Sequence, residues 1–313
     1  MVEVYTEPLA RRHYAGLFSV ATIFRIVILL AAIGASLVIA YASGGFWVKV
    51  KPTLDQATVH YTQDALLVFT GATSEHQMVW STSPAMQQVF ADYLVPASVQ
   101  YAEEDINFDG KPDIIMFSAS VQSNVPIHGV QALLQFHYSF KSNVKLDMYS
   151  FAYFSANSVA PGGVLSVDGE LLLSQRTPIT DRKYNDIYNT KMLTSDTPTT
   201  QQAVQPATEL QFSQILRSYN SNNYTTYYGN TYPVWKSGSG NTFEIVMTIR
   251  IPANQVVWYR PQVIEMLKFG WIQFLVTWVV LWWFYRWFEA FVFKYRMLAT
   301  RVVSDVQRPS TKF

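Results

Sequence analysis

Two runs of the chain hold no charged residue. The first, IVILLAAIGASLVIAYA, covers residues 26–42, and its apolar character begins near Leu17. The second, FGWIQFLVTWVVLWWFY, covers residues 269–285. With tolerant flanking residues each reaches about 20 residues, enough for a helix to cross a hydrocarbon core of roughly 30 Å. The pattern therefore predicts two transmembrane helices, at 17–43 and 261–288. Tails are expected at 1–16 and 289–313. The first run competes with a signal-peptide reading, since AYASGG offers small residues suited to cleavage. Its length exceeds the about 7–15 apolar residues of a signal core, which favours an anchor.

Between the helices the period changes from helical to alternating. TVHYT, ALLVFTG, DIIMFSASV, VQALLQFHYSF, VKLDMYSFAYF, GVLSVDGELLLSQ, TELQFSQIL and FEIVMTIRI are short runs rich in β-branched and aromatic residues. Clusters of Gly, Pro, Asn and Ser separate them, which is the punctuation of strands. The Asp-Gly of SVDGEL predicts a hairpin turn. Residues 44–260 are thus expected to form an all-β, antiparallel, sandwich-like domain of eight or more strands. The polar segment near 176–206 is expected to be a long excursion. The predicted fold class is a membrane protein in which two transmembrane α-helices flank this domain.

Charge adds direction. Arg11 and Arg12 precede the first helix, and Arg286, Lys294, Arg296, Arg301, Arg308 and Lys312 lie at the end of the second or beyond it. The inner flanks carry fewer, with Lys49 and Lys51 on one side and Arg260 and Lys268 on the other. The positive-inside rule then puts both termini in the cytosol and the β-domain in the lumen or outside the cell. A net charge of +1 over 313 residues gives no electrostatic footprint for nucleic acid. The absence of cysteine excludes disulfides, thiolate metal sites and cysteine nucleophiles.

Candidate chemistry is sparse. EEDINFDGKPD (103–113) places five acidic residues in eleven positions. Asp105, Asn107 and Asp109, the Lys111 carbonyl and Asp113 match the spacing of a D-x-N-x-D-G calcium loop. Met116 stands where a regular EF-hand needs its bidentate Glu, so any site would close on Asp113 and serve structure alone. The competing reading is an Asx-rich turn leading into a strand. Both readings stay open, and structural calcium is the sole candidate cofactor. Asn223-Tyr224-Thr225 is a glycosylation acceptor, compatible with a luminal position. The five His form no metal spacing, and the chain lacks G-x-S-x-G, Walker and G-x-G-x-x-G motifs. Neither catalysis nor a small-molecule substrate is expected.

The helices themselves offer an interface. Trp271, Trp278, Trp282 and Tyr285 fall within roughly 60° of one another at a helical repeat, giving one aromatic stripe. Ala31, Ala32, Gly34, Ala35 and Ser36 of the first helix permit close approach. The stripe can pack on this small patch or on a partner's helix, or it can face lipid.

Seven segments carry a resemblance, in order: GFWVK (45–49), WSTSPA (80–85), EEDINFDGKPD, LLQFHYSF (133–140), TTYYGNTYPVW (225–235), EMLKFGWIQF (265–274) and FVFKYR (291–296). Together they resemble the transmembrane protein 231 family, a component of the Meckel-syndrome (tectonic-like) complex at the ciliary transition zone. The resemblance implies a non-enzymatic two-pass subunit of the barrier that controls ciliary membrane composition. It implies as partners the tectonics, B9-domain proteins and other transmembrane members of that complex. The competing readings are a calcium-dependent receptor or adhesion module, and a two-pass channel subunit.

Overall fold

A computed structural model describes residues 11–44, 46–73, 76–142, 144–180, 185–193, 208–238 and 240–304. Along the chain run β1 (Arg11–Tyr14), α1 (Val20–Ala42), β2 (Lys51–Asp55), β3 (Thr58–Thr70) and β4 (Gln77–Ser81). A short helix α2 (Pro84–Val89) and a 3-10 turn (Ala91–Tyr93) follow, then β5 (Ala97–Glu104) and β6 (Ile114–Gln122). Next come β7 (Gly129–Phe140), β8 (Leu146–Asn157), β9 (Gly162–Gln175) and β10 (Ile179–Thr180). The remainder is α3 (Thr208–Asn220), β11 (Tyr224–Ser237), β12 (Thr242–Arg250), β13 (Gln255–Arg260), α4 (Val263–Lys294) and β14 (Arg301–Ser304). The chain divides into two compact units, 1–49 with 262–313, and 50–261.

The middle unit is a β-sandwich. One sheet has the order β11-β9-β12-β6-β5 and the other β4-β3-β7-β8. A third, small sheet is ordered β10-β13-β2. Alternation sends one side of each strand inward, as a pleated backbone requires. On β6 the inward set is Ile115, Phe117, Ala119 and Val121, and on β12 it is Phe243, Ile245, Met247 and Ile249. They share one core with Val130, Ala132, Leu134 and Phe136 of β7. The strands pair mostly antiparallel, but β12 runs parallel to β9 and β10 parallel to β13.

Strands β3, β7 and β8 bury residues on both faces. Leu66 and Val68 of β3 and Leu133 of β7 point away from the sandwich core into a second cluster with Phe151, Phe212 and Tyr219. This explains the unbroken apolar runs ALLVF and ALL in β3 and β7. The residues opposite them come from α3, where TELQFSQIL was expected to be a strand. The correction has a physical reason: Phe212, Ile215, Leu216 and Tyr219 recur at helical spacing and form one stripe on this cluster. A 13-residue window with a polar majority hides that stripe among alternating residues.

The expected hairpin at Asp168-Gly169 is also corrected, because β9 continues through it. A Cβ on Gly169 would lie 2.8 Å from the Tyr228 ring and 2.9 Å from the Gly229 carbonyl oxygen. Here β11 bulges between Gly229 and Tyr232, with Asn230 at φ 51°. The glycine thus admits a close backbone approach and makes no turn. Similarly, TVHYT and ALLVFTG are one strand, kinked by a bulge between Tyr61 and Ala65 with Gln63 at φ 64°.

Within the polar excursion, Ile179–Thr180 form β10 beside β13, and residues 185–193 dock on the sheet. The buried Gln135 side chain accepts hydrogen bonds from the backbone N–H of Met192 and Leu193, each 3.0 Å. Lys191 reaches Asp64 at 2.9 Å. The rest of the excursion (181–184 and 194–206), tail residues 1–10, and Arg308 and Lys312 lie outside the described residues.

The other unit is a helix pair closed at one end by a two-stranded sheet. Both helices are long and apolar enough to cross a membrane. Helix α4 runs six residues past the expected 288, to Lys294. Strand β1 pairs antiparallel with β14, Arg11 opposite Ser304 and Tyr14 opposite Arg301. The segments just outside the two helices, 11–14 and 301–304, therefore meet at the same end of the pair.

Candidate functional site

The helix seam is built from small and polar residues. On α1 the buried positions are Ala21, Ser36 and Ala40, and on α4 they are Gly270, Tyr285 and Val292. Small side chains at such a seam let backbones approach and dispersion contacts form. The Thr277 hydroxyl lies 3.2 Å from the Ser36 carbonyl oxygen and 3.0 Å from that of Gln273. Gln273 donates from Nε2 to the Gly44 carbonyl at 3.2 Å. At the other end Arg25 Nε meets Glu289 Oε1 at 2.9 Å, and Tyr285 is a second partner of Arg25. Phe24 and Phe288 touch beside this pair, ring centres 6.3 Å apart. One polar contact at each end and one near the middle set the register of two otherwise apolar rods.

Of the expected small patch, Ser36 is the member buried in the seam. Ala31, Gly34 and Ala35 are exposed, and a Cβ on Gly34 would meet nothing within 4 Å. Ser36 and Ala40 meet α4 in their place. The composition of AAIGAS does not say which small residue faces the partner; the helical phase set by Ala21 and Ala40 does.

The aromatic stripe is a continuous ladder. Trp271 meets Phe274 at 5.9 Å, Phe274 stacks on Trp278 at 6.4 Å, and Trp282 follows Trp278 at 5.4 Å. Tyr285 closes it at 5.4 Å from Trp282. At about 100° per residue the ladder is centred roughly 70° from the line through Gly270, Thr277, Leu281 and Val292. It flanks the seam: Tyr285 is buried, Trp278 half-buried, and Trp271 and Trp282 exposed. Sequence reasoning missed Thr277, Gln273 and Glu289. A usable signal existed for the last: Arg25 stands five residues after the start of α1 and Glu289 five before the end of α4. Opposite charges at matched depth in two antiparallel helices are expected to pair.

The acidic segment connects β5 to β6. Glu103 and Glu104 belong to β5, and Glu103 accepts from the Tyr61 amide at 2.8 Å and meets His60 at 3.0 Å. Within the loop the side chains bind amides. Asp105 accepts from Gly110 N–H at 2.8 Å, Asn107 from Asp109 N–H at 2.9 Å, and Asp109 from Lys111 N–H at 2.8 Å. Asp113 accepts from Ile106 N–H at 3.0 Å and from Gln56 Nε2 at 2.7 Å. The Lys111 ammonium lies 3.0 Å from the Gln56 carbonyl. Phe108 and Gly110 hold positive φ, 57° and 83°. These are nested Asx turns. Among the described residues, no group of three or more His, Cys, Asp or Glu is disposed to hold a metal ion.

Asn223 is exposed in the turn between α3 and β11. Beside it a buried network pins α3 to the sheets. The Tyr219 hydroxyl accepts from the Thr226 amide at 2.5 Å, and the Thr226 hydroxyl donates to the Phe151 carbonyl at 2.8 Å. Burial raises the Tyr219 phenol above its ordinary pKa, so it stays protonated. Exposed on β12 and β9, Arg250 grips Asp168 bidentately at 2.8 and 2.7 Å and lowers that carboxyl below its usual range. Solvent screens this pair, so it adds little stability. His137 meets Asp147 at 2.6 Å and the Tyr149 ring at 5.5 Å, a structural setting.

Comparison with known proteins assigns the chain. The family model for Transmembrane protein 231 matches residues 1–302. The Xenopus tropicalis protein of that name is 31% identical over 304 residues, 96% of this chain and 95% of the relative. The Gallus gallus protein is 32% identical over 311 residues (97% and 95%), and the Homo sapiens protein 30% over 313 (98% and 96%). No solved structure matches. A match along nearly the whole chain, covering both apolar helices and the β-sandwich between them, places this protein in the transmembrane protein 231 family.

Proposed function

We propose that the chain is a non-enzymatic structural subunit of the ciliary transition-zone membrane complex. In that role it contributes to the diffusion barrier that sets ciliary membrane composition, and to cilium assembly. The observation that carries the reading is family membership along the whole chain, joined to the motif resemblance set out above. The surfaces of the molecule suit assembly. Exposed Trp271 and Trp282 on α4, and Ala31, Gly34 and Ala35 on α1, are available to other membrane helices. On the sandwich, the edge strand β11 exposes Tyr227, Tyr232 and Val234. Aromatic residues on an exposed edge are the usual anchors of a protein interface. Tectonics, B9-domain proteins and other transmembrane subunits are the partners implied. Both termini are cytosolic in this reading, and the sandwich, with Asn223 glycosylated, lies on the far side of the bilayer.

The test is localisation of the tagged full chain in ciliated cells, followed by co-isolation. A ring at the ciliary base that co-isolates with tectonics supports the reading. Uniform plasma-membrane signal with no such partners overturns it.

A further inference from the structure

At the end of the helix pair where strands β1 and β14 meet lies a half-open cavity of about 290 Å³. Its lining is His13 from β1, Ala290, Phe293 and Lys294 from α4, Arg296 just beyond, and Val302 from β14. Lys294 and Arg296 bring positive charge to the lining, His13 brings a ring nitrogen, and none of the six residues is acidic. The volume is near the roughly 300 Å³ lower bound of ordinary ligand pockets and well above what a single water needs.

The lining is positioned. His13 is held by its Nδ1 against the Thr300 hydroxyl at 2.9 Å and lies against the Phe293 ring, centres 5.7 Å apart. That leaves Nε2 for another partner. Arg296 occupies the left-handed position after α4, φ 50°. There its N–H bonds the Phe293 carbonyl at 3.2 Å and the Met297 N–H bonds the Val292 carbonyl at 3.1 Å. This is a Schellman ending, whose ordinary occupant is glycine. Arginine bears backbone strain there that glycine would not. Complementing the helix dipole accounts for Lys294, in the last turn, but not for an arginine in the left-handed position.

The surroundings identify the solvent. Leu17, Phe18, Tyr295 and Met297, at the same end, are 85%, 94%, 64% and 65% exposed. Lys294 is the last residue of the apolar span Val263–Lys294, five residues or about 7.5 Å of helix beyond the Arg25–Glu289 pair. That depth is the headgroup layer, which adds roughly 5–8 Å to each side of the hydrocarbon core. An apolar rim around a cationic hollow at headgroup depth suits an anion that arrives attached to acyl chains.

We propose that the cavity lined by His13, Lys294 and Arg296 binds the phosphate of an anionic phospholipid headgroup. The lipid would tie the paired strands β1 and β14 to one leaflet. Which leaflet depends on the topology proposed above; binding itself does not.

The test uses the full chain in neutral detergent micelles and measures binding of dioctanoyl phosphatidylserine and of a dioctanoyl phosphatidylinositol phosphate. Dioctanoyl phosphatidylcholine and inorganic phosphate serve as controls. The proposal expects the anionic lipids to bind tighter than phosphatidylcholine. Arg296→Gly should weaken them about fivefold, as should Lys294→Gln, following the usual contribution of one basic residue near anionic lipid. Arg296→Gly relieves the strained position, so its melting temperature should hold or rise while affinity falls. No preference for anionic lipid, or a preference that both variants retain, overturns the proposal. Inorganic phosphate competing at the same concentration as the lipids would make this a free-anion site and also overturn it. Because micelles have no sides, a negative result leaves the topology untouched.

Discussion

At the scale of single residues, position in the hydrogen-bond network outweighs residue type. The three aspartates of 105–113 look equivalent in sequence. In the fold, Asp113 joins the loop to Gln56 and caps two amides, whereas Asp109 accepts from the Lys111 amide and the Asn107 side chain within the exposed tip. Removing a partner from a buried or half-buried group costs about 1–3 kcal/mol, and from an exposed one far less. Asp113→Ala is therefore expected to lower the melting temperature of the full chain in micelles clearly, and Asp109→Ala scarcely. The side chains already engaged with amides also predict that added calcium or a chelator leaves the parent's melting temperature unchanged. A calcium-dependent rise that Asp109→Ala abolishes would instead assign the loop to the ion.

Tyr219 is a second residue-scale test. Its hydroxyl serves the amides of Thr226 and Phe151 in a buried site. Tyr219→Phe should destabilise by about 1–3 kcal/mol in denaturant titration, although only one oxygen is lost. The pH dependence has a definite sign. Burial raises the pKa of Tyr138, Tyr61, Tyr228 and Tyr219 in the folded chain. The unfolded phenols ionise near pH 10. The folded state thus holds more protons, so this stabilisation is complete below about pH 10 and is lost as pH rises through the higher folded values. Melting temperature followed from pH 8 to 11 should fall at the alkaline end, and Tyr219→Phe should flatten part of that fall.

At the scale of elements, the helix seam makes a contrast possible. Ser36 is buried against α4 and Gly34 faces away. Ser36→Leu is expected to separate the helices, and Gly34→Leu to leave them paired. The native chain has no cysteine, so Phe24→Cys with Phe288→Cys gives a clean reporter. A short bifunctional maleimide should bridge that pair in the parent and in Gly34→Leu, and fail in Ser36→Leu. Thr277→Val should weaken pairing by less, about 0.6–2 kcal/mol, the range for one interhelical hydrogen bond in a membrane. If Gly34→Leu disturbs assembly with other subunits while leaving the bridge intact, the exposed small patch serves a partner.

At the scale of the whole molecule, the pairing of β1 with β14 brings residues 11–14 and 301–304 together at one end of the helix pair. A two-pass chain whose outer flanking strands pair has both strands on the same side of the bilayer. Protease added outside sealed microsomes should then remove epitopes from both tails together and spare the sandwich. Cleavage of one tail alone is incompatible with the paired strands, and digestion of the sandwich reverses the proposed orientation.

Much of this was legible in one dimension. Two uncharged runs suffice for two membrane helices, because lipid forces every backbone group to pair within its own segment. Alternation along β6 and β12 suffices for half-buried strands, because successive side chains of a pleated strand face opposite ways. Three other features were settled only in three dimensions. TELQFSQIL became a helix because β3 and β7 offered a second apolar face to cover, and that face exists only once the sheet has formed. Asp168-Gly169 became a straight strand because β11 bulges against it. Ser36, not Gly34, met α4 because helical phase, set by residues several turns away, decides which small side chain faces the seam. Local sequence determined where each element lies; contacts between residues far apart in the chain decided what each face meets.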